Sequence, residues 1–404
     1  MKILFYATYP TQSNGYARIG NNITNFLADK DDVEIYYFGI TAFDKNLVER
    51  IIHPKIKLIN VLEESPSRNA YGDDLIVPAI EQIKPDIIFL YNDILVITRM
   101  LNQINTLPKK FQVYTYIDLV YEYENTEIIQ FIDRLTDRFF VMSECWKQNL
   151  CDIGISEFKI FTFHHGLDTL KIFRTDTELA RKVIGLPKND FIVLNINRNT
   201  HRKAIDITVS AFLRFLKRHN CDSRIKLYLT SNKEPSSYDV LEVLRVECIQ
   251  LKLNYYKIIN EHVLISNSAV MTDYMVNQLY NACDVGLNTC YGEGFGLCNL
   301  EHASVGKPQV MSNVGALRDI FKEGHCKLVD SRTKIYIPPA LDSTGGYMEV
   351  CHPEDFADAL DYYYLNKDKK IEDGEFYRKK ISKDYNWDNI LTEFYEKHIK
   401  IKYK

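Results

Sequence analysis

What most restricts the fold of this chain is a run of short, largely apolar segments that alternate with helical or loop stretches, pauses once, and then resumes. KILFYAT (residues 2–8), VEIYYFG, IKLINVL, DIIFLY, FQVYTYI, RFFVM and FKIFTF succeed one another up to about residue 163. Such runs, apolar on both faces, belong to strands of a covered parallel sheet, and their alternation with helices is the βα pattern of a doubly wound α/β fold. After His164–Phe173 comes a charged, weakly apolar stretch, and the pattern restarts with FIVLNIN, IKLYLT, HVLIS, DVGLN, PQVM and CKLV. Two Rossmann-like units are therefore expected, over 1–175 and 176–382. A terminal helix over about 383–404 carries Ile390, Phe394, Tyr395 and Ile399 at helical steps beyond Trp387. EESPSRNAYGDD (63–74) reads as a mobile, turn-rich loop, and the acidic, aromatic YEYENTE (121–127) as the loop after a strand end.

A length of 404 residues fits two domains rather than one. A formal charge of −4 argues against a general nucleic-acid binder. No run approaches the ~18 apolar residues of a membrane span, and the chain opens into a strand rather than a signal peptide, so a cytoplasmic protein is expected. The nine cysteines include no C-x-x-C pair and read as reduced, packed thiols. Lysines in the tail read as a solvated face, so membrane association is not expected; oligomerisation is left open.

The stretch Tyr291–Pro308, YGEGFGLCNLEHASVGKP, carries the chemistry. Gly292, Gly294 and Gly296 let the backbone turn and approach a ligand. From Leu297 the steps to Leu300, Ala303 and Ser304 are helical, and Gly306 with Pro308 stops the helix. A glycine loop feeding a helix N-terminus is a ready phosphate site, although alone it reads equally as a packing turn. Glu293 and Glu301, with seven residues between them, can address one ligand from two sides. A second cluster, NRNTHRKAID, places Arg198 and Lys203 in the turn after FIVLNIN, where they suit an anion; alone it reads as a basic surface turn. Ser143 after RFFVM also reads as a helix cap. Asp29-Lys30-Asp31 reads as a solvated turn, so no metal site is expected. The first strand is not followed by G-x-G-x-x-G, and Gly306-Lys307 is followed by proline, which excludes the common dinucleotide and triphosphate motifs.

Glu293, Gly294, Phe295, Gly296, Leu297, Leu300, Glu301, Gly306 and Pro308 together resemble the donor-site signature of the retaining glycosyltransferases of family four. The resemblance implies a GT-B fold, two Rossmann-like domains facing across a cleft, the first for the acceptor and the second for a nucleotide-sugar, with the terminal helix over about 383–404 packing back on the first. It implies catalytic roles for Glu293, Arg198 and Lys203, with His201 and Arg202 as bystanders. Gly15, Gly294, Phe295, Gly296, Leu297, Leu300 and Glu301 would bind the donor, Glu301 at the ribose. Asp118 stands where many relatives carry a histidine, and it and Ser143 are candidate sugar or acceptor contacts. His164 and His165 depart from the family pattern and are given core or hinge roles. The implied reaction moves a hexose, with GDP-mannose as the leading donor and UDP-glucose or another UDP-hexose as the alternative. The acceptor would be a glycan, glycoprotein or glycolipid, and neither a cofactor nor a metal is implied. A nucleotide-sugar-binding protein without catalysis is the rival reading. The lysine-, asparagine- and isoleucine-rich style resembles a virus- or bacterium-encoded member.

Overall fold

The computed structural model describes residues 1–43, 48–230, 238–266, 271–342 and 344–400. They form two compact units: residues 1–165, 337–346 and 388–404 make the first, and 166–336 and 347–387 the second.

The first unit is built on seven parallel strands: β1 (Lys2–Thr8), β2 (Glu34–Ile40), β3 (Lys57–Asn60), β4 (Ile87–Asp93), β5 (Gln112–Asp118), β6 (Arg138–Val141) and β7 (Ile160–Thr162). Their order across the sheet is β3-β2-β1-β4-β5-β6-β7. Strand order therefore reverses between β1 and β4, and the crevice outside their carboxyl ends is where open α/β sheets bind ligands. Ile3 to Ala7 are fully buried, as the apolar run demands. The helix Gly15–Ala28 follows β1, opened by Asn14, whose side chain accepts the Ala17 N–H at 2.9 Å. It buries Ile19, Ile23 and Leu27, each contributing about 1.5–3 kcal/mol. The 63–74 loop is tied down by Asp74, whose carboxylate accepts from the Ser65 and Ser67 hydroxyls at 2.7 and 2.6 Å.

The second unit repeats the design with β8 (Phe191–Asn195), β9 (Ile225–Thr230), β10 (Val263–Ser266), β11 (Val285–Asn288), β12 (Gln309–Ser312) and β13 (Lys327–Val329). The order is β10-β9-β8-β11-β12-β13, all parallel, with reversal between β8 and β11. Beyond it lies a hairpin that the apolar pattern does not announce: β14 (Ser331–Ile337) and β15 (Gly346–Cys351), with Tyr336 and Tyr347 in edge contact at 5.4 Å.

The units divide at 165/166 and 387/388, where the sequence suggested 175/176 and 382/383. The difference has a packing cause. Leu167 donates its N–H to the Tyr385 carbonyl at 2.7 Å, and a Cβ on Gly166 would lie 2.6 Å from the Trp387 ring, so both crossings are fixed in the second unit. The tail is also not one helix. Lys367–Asp384 and Trp387–Phe394 are separate helices, followed by a wider turn at Tyr395–Ile399. Within the first unit Phe394 stacks on Phe163 at 4.5 Å, and the Tyr395 hydroxyl donates to Asp32 at 2.7 Å. Among the described residues no helix is long and apolar enough to cross a membrane.

Candidate active site

The loops leaving β8 and β11, neighbouring strands at the reversal of the second sheet, bring the central residues together. After β8 the chain makes a short helical turn, His201–Lys203, and passes through Ala204 in the left-handed conformation (φ 46°). Its N–H donates to the His201 carbonyl, and its own carbonyl accepts the Thr289 hydroxyl at 2.9 Å. After β11 the loop reaches Gly296, also left-handed (φ 87°), where the helix Leu297–Ser304 begins. A Cβ at Gly296 would stand 2.5 Å from Leu317, so glycine is required there on two counts.

Between these loops the Lys203 ammonium donates to Glu293 Oε2 in a buried ion pair, each residue 7% exposed. Asn288 Nδ2 approaches the same oxygen at 3.4 Å, and Arg202 stands 3.7 Å from Oε1. Burial alone would raise the Glu293 pKa, but Lys203 and then Arg202 outweigh it and bring it down to about 2. The carboxylate is thus fixed in its charged form. Arg202 also donates to the Gly292 carbonyl at 2.6 Å, while its own carbonyl accepts the Tyr291 N–H at 2.9 Å. It is a structural clamp on the glutamate loop rather than the bystander that the sequence suggested. Arg198, by contrast, is exposed on the same loop, its side chain without an ion-pair partner among the described residues.

Glu301 is buried on the helix, and the Tyr280 hydroxyl donates to its Oε2 at 2.9 Å. Leu300 is fully buried and packs the core; Phe295 is buried edge-on to Tyr385 at 6.0 Å. Neither ring nor leucine side chain is laid open for a ligand, so a contact from this segment would come through backbone. A chain of buried amides stiffens the base of the site: Asn288 donates to Asn299 Oδ1 at 2.7 Å, and Asn299 to Gln309 Oε1 at 3.0 Å. The Cys290 thiol is buried and pushed up to about 12, chiefly by desolvation, which keeps it in the thiol form.

Gly15, Asp118 and Ser143 belong to the first unit. Gly15 is exposed at the first turn of its helix, after β1. Asp118 ends β5 directly beside Asp93 of β4, and its Oδ2 accepts the Tyr16 hydroxyl at 2.8 Å. Ser143 is at the cap position of Glu144–Asp152, yet its buried hydroxyl makes no cap bond and lies 3.1 Å from Cys145 Sγ. His165 is a core residue, its pKa brought down to about 3 by burial, then by Arg18 and His164. Sequence reasoning missed Tyr280, Tyr16 and the amide chain, none of which has a telling spacing from the glutamates. For Arg202 the signal was present as a second cation beside Lys203.

Among the described residues one group has the spacing of metal ligands, His325, Glu372 and Asp373. Its members already have partners: Asp373 takes the His325 ring at 3.1 Å and the Tyr363 hydroxyl at 2.9 Å, and Glu372 takes Lys369 at 2.7 Å. Asp29 and Asp31 are exposed.

Residues 190–364 match the family model described as Glycosyl transferases group 1. An uncharacterized glycosyltransferase of Methanocaldococcus jannaschii is 27% identical over 262 residues, covering 62% of this chain and 57% of that protein. The match thus spans little more than half of the relative's length. Among solved structures, sucrose-phosphate synthase of Thermosynechococcus elongatus aligns with a TM-score of 0.75 at 16% identity, over 98% of each chain. The Anabaena protein HepE, in a complex with UDP and glucose, aligns with a TM-score of 0.72 at 16% identity, also over 98% of each chain. The fold is GT-B, two parallel-sheet α/β domains.

Proposed function

We propose that the chain is a glycosyltransferase that takes a hexose from a nucleotide-sugar and passes it, with retention of configuration, to a hydroxyl of a glycan, glycoprotein or glycolipid. The observation that carries this reading is the buried Lys203–Glu293 pair between the loops of β8 and β11, at the reversal point of a sheet within the group 1 match. A lone buried carboxylate would neutralise itself by taking a proton. Here two cations hold it charged, which suits an anion placed against the electron-poor sugar carbon of a departing donor.

Breaking the bond between the sugar and the diphosphate leaves charge on phosphate oxygens. Lys203, the exposed Arg198 and the positive end of the helix Leu297–Ser304 would take up that charge without a divalent cation. Glu301, whose Oε2 takes the Tyr280 hydroxyl, would accept ribose hydroxyls. Within the first unit, Gly15 leaves backbone exposed after β1, and Asp118 would offer a carboxylate to hydroxyls.

Two donors have equal standing. GDP-mannose is the expectation from the signature, and the neighbour HepE was solved with UDP-glucose. Calorimetric titration with UDP-glucose, GDP-mannose and the free diphosphates, followed by assay of donor hydrolysis and transfer, tests the reading. Binding with turnover supports it, and binding with no hydrolysis or transfer would favour the non-catalytic alternative. No binding of any nucleotide would overturn it.

A further inference from the structure

We infer that Arg202 is a positioning residue that keeps Glu293 charged and in place when Lys203 turns to the donor's diphosphate. The inference rests on the glycosyltransferase reading above and adds to it what Arg202 does once the donor is bound.

The two oxygens of Glu293 are divided between two cations of different kinds. Oε2 takes Lys203 and Asn288, and Oε1 faces Arg202 at 3.7 Å. Lysine is a compact charge on a flexible stem with three donors, of which Glu293 takes one here. It can therefore swing toward a phosphate. A diphosphate close to Lys203 draws its charge away from Glu293, and a buried carboxylate that loses its partner takes a proton instead. Glu293 would then lose its charge at the moment the reaction needs it.

Arg202 prevents this because it cannot follow Lys203. Its guanidinium is anchored by the 2.6 Å bond to the Gly292 carbonyl, and its backbone by the Tyr291 N–H at 2.9 Å. Both contacts are to the loop that carries Glu293, so Arg202 and the carboxylate form one rigid piece. An arginine remains charged at any working pH, and its planar fork can serve the carbonyl and the carboxylate together. The turn His201–Lys203 thus splits its labour: one cation for the ligand, its neighbour for the glutamate.

The test compares wild type with Arg202→Gln, Arg202→Lys and Lys203→Ala. UDP and GDP affinities are measured by calorimetry, kcat and KM on UDP-glucose and GDP-mannose, and folding by thermal melts. For Arg202→Gln, kcat should fall about tenfold to a hundredfold, the scale of a lost charged contact, with nucleoside diphosphate affinity within about threefold of wild type. Arg202→Lys should be intermediate in kcat, and Lys203→Ala should lose diphosphate affinity. If Arg202→Gln does not fold, Arg202→Lys carries the test, with reduced kcat at unchanged affinity expected. An Arg202 variant that loses diphosphate affinity as Lys203→Ala does would make Arg202 a phosphate ligand and overturn the inference, and so would unchanged kcat. If wild type itself binds neither diphosphate and turns over neither donor, the glycosyltransferase reading fails, and this inference with it.

Discussion

Replacing Lys203 with methionine removes the charge from the centre of the site while nearly keeping the volume, and its cost can be worked from the geometry. Glu293 is held at a pKa of about 2 against an ordinary 4.5. At about 1.4 kcal/mol per pH unit, that is about 3 kcal/mol of stability. Because the folded pKa is depressed, this contribution is complete above the ordinary value and is lost as pH falls through 4.5 toward 2. In Lys203→Met the carboxylate keeps only Arg202 at 3.7 Å and Asn288 at 3.4 Å, and burial pushes its pKa up. The variant is then penalised at neutral pH and relieved as acid protonates Glu293. Urea unfolding at pH 7.5 should show a loss of about 3 kcal/mol, the usual scale for breaking one side of a buried pair. At pH 5 the deficit should be smaller, and adding Glu293→Gln to Lys203→Met should recover much of it. A deficit equal at both pH values, with no recovery in the double variant, would refute the ion pair as the source of the depressed pKa.

Glu293→Gln should abolish transfer while leaving nucleoside diphosphate affinity nearly unchanged, since the amide keeps the shape and loses the charge; turnover like wild type in a kinetic assay would remove Glu293 from the mechanism. Glu301→Ala should weaken nucleotide binding by about 1–3 kcal/mol in calorimetry, and Tyr280→Phe by less, because the phenol orients the carboxylate rather than touching the ligand. Gly296→Ala should destabilise the second unit by about 1–3 kcal/mol, since it meets both the left-handed backbone and Leu317; thermal melts within a degree of wild type would contradict the loop geometry. Transfer should persist in excess EDTA, and loss of activity restored by manganese would show that Arg198, Lys203 and the helix start do not suffice for the leaving diphosphate.

The two sheets were legible because their strands are covered on both faces. All five residues of β8 are buried, and a run such as FIVLN has no other stable place in water. The hairpin β14–β15 was not legible for the opposite reason. Its first strand is largely exposed, and SRTKIYI has no apolar alternation to reveal it. The site divides in the same way. Glu293, Gly296 and Lys203 were marked by local chemistry, a glycine that the backbone needs and charges in a short loop. Arg202 and Tyr280 act through partners 90 and 21 residues away, and no spacing rule connects such pairs. The domain boundary was misplaced because Gly166 and Trp387 meet only in three dimensions.

The two reversal points also differ in charge, and on the proposed reading that difference suits them to different ligands. At the second unit's crevice Lys203 and Arg202 face a single carboxylate, with Arg198 exposed on the same loop, so the balance there favours an anion. At the first unit's strand ends Asp93 and Asp118 lie side by side in register. Burial raises the Asp93 pKa, and its carboxylate is already bound by the Leu95 and Val96 N–H groups at 3.0 and 2.9 Å. Asp118 accepts from the Tyr16 phenol, whose own pKa is raised by burial and then by Asp118 itself, so the hydroxyl stays a donor. A phosphate brought among these oxygens would be repelled. Neutral hydroxyls, each able to donate one bond and accept another, suit that edge. On the glycosyltransferase reading proposed above, the diphosphate would then sit chiefly on the second unit and a hydroxyl-bearing acceptor on the first.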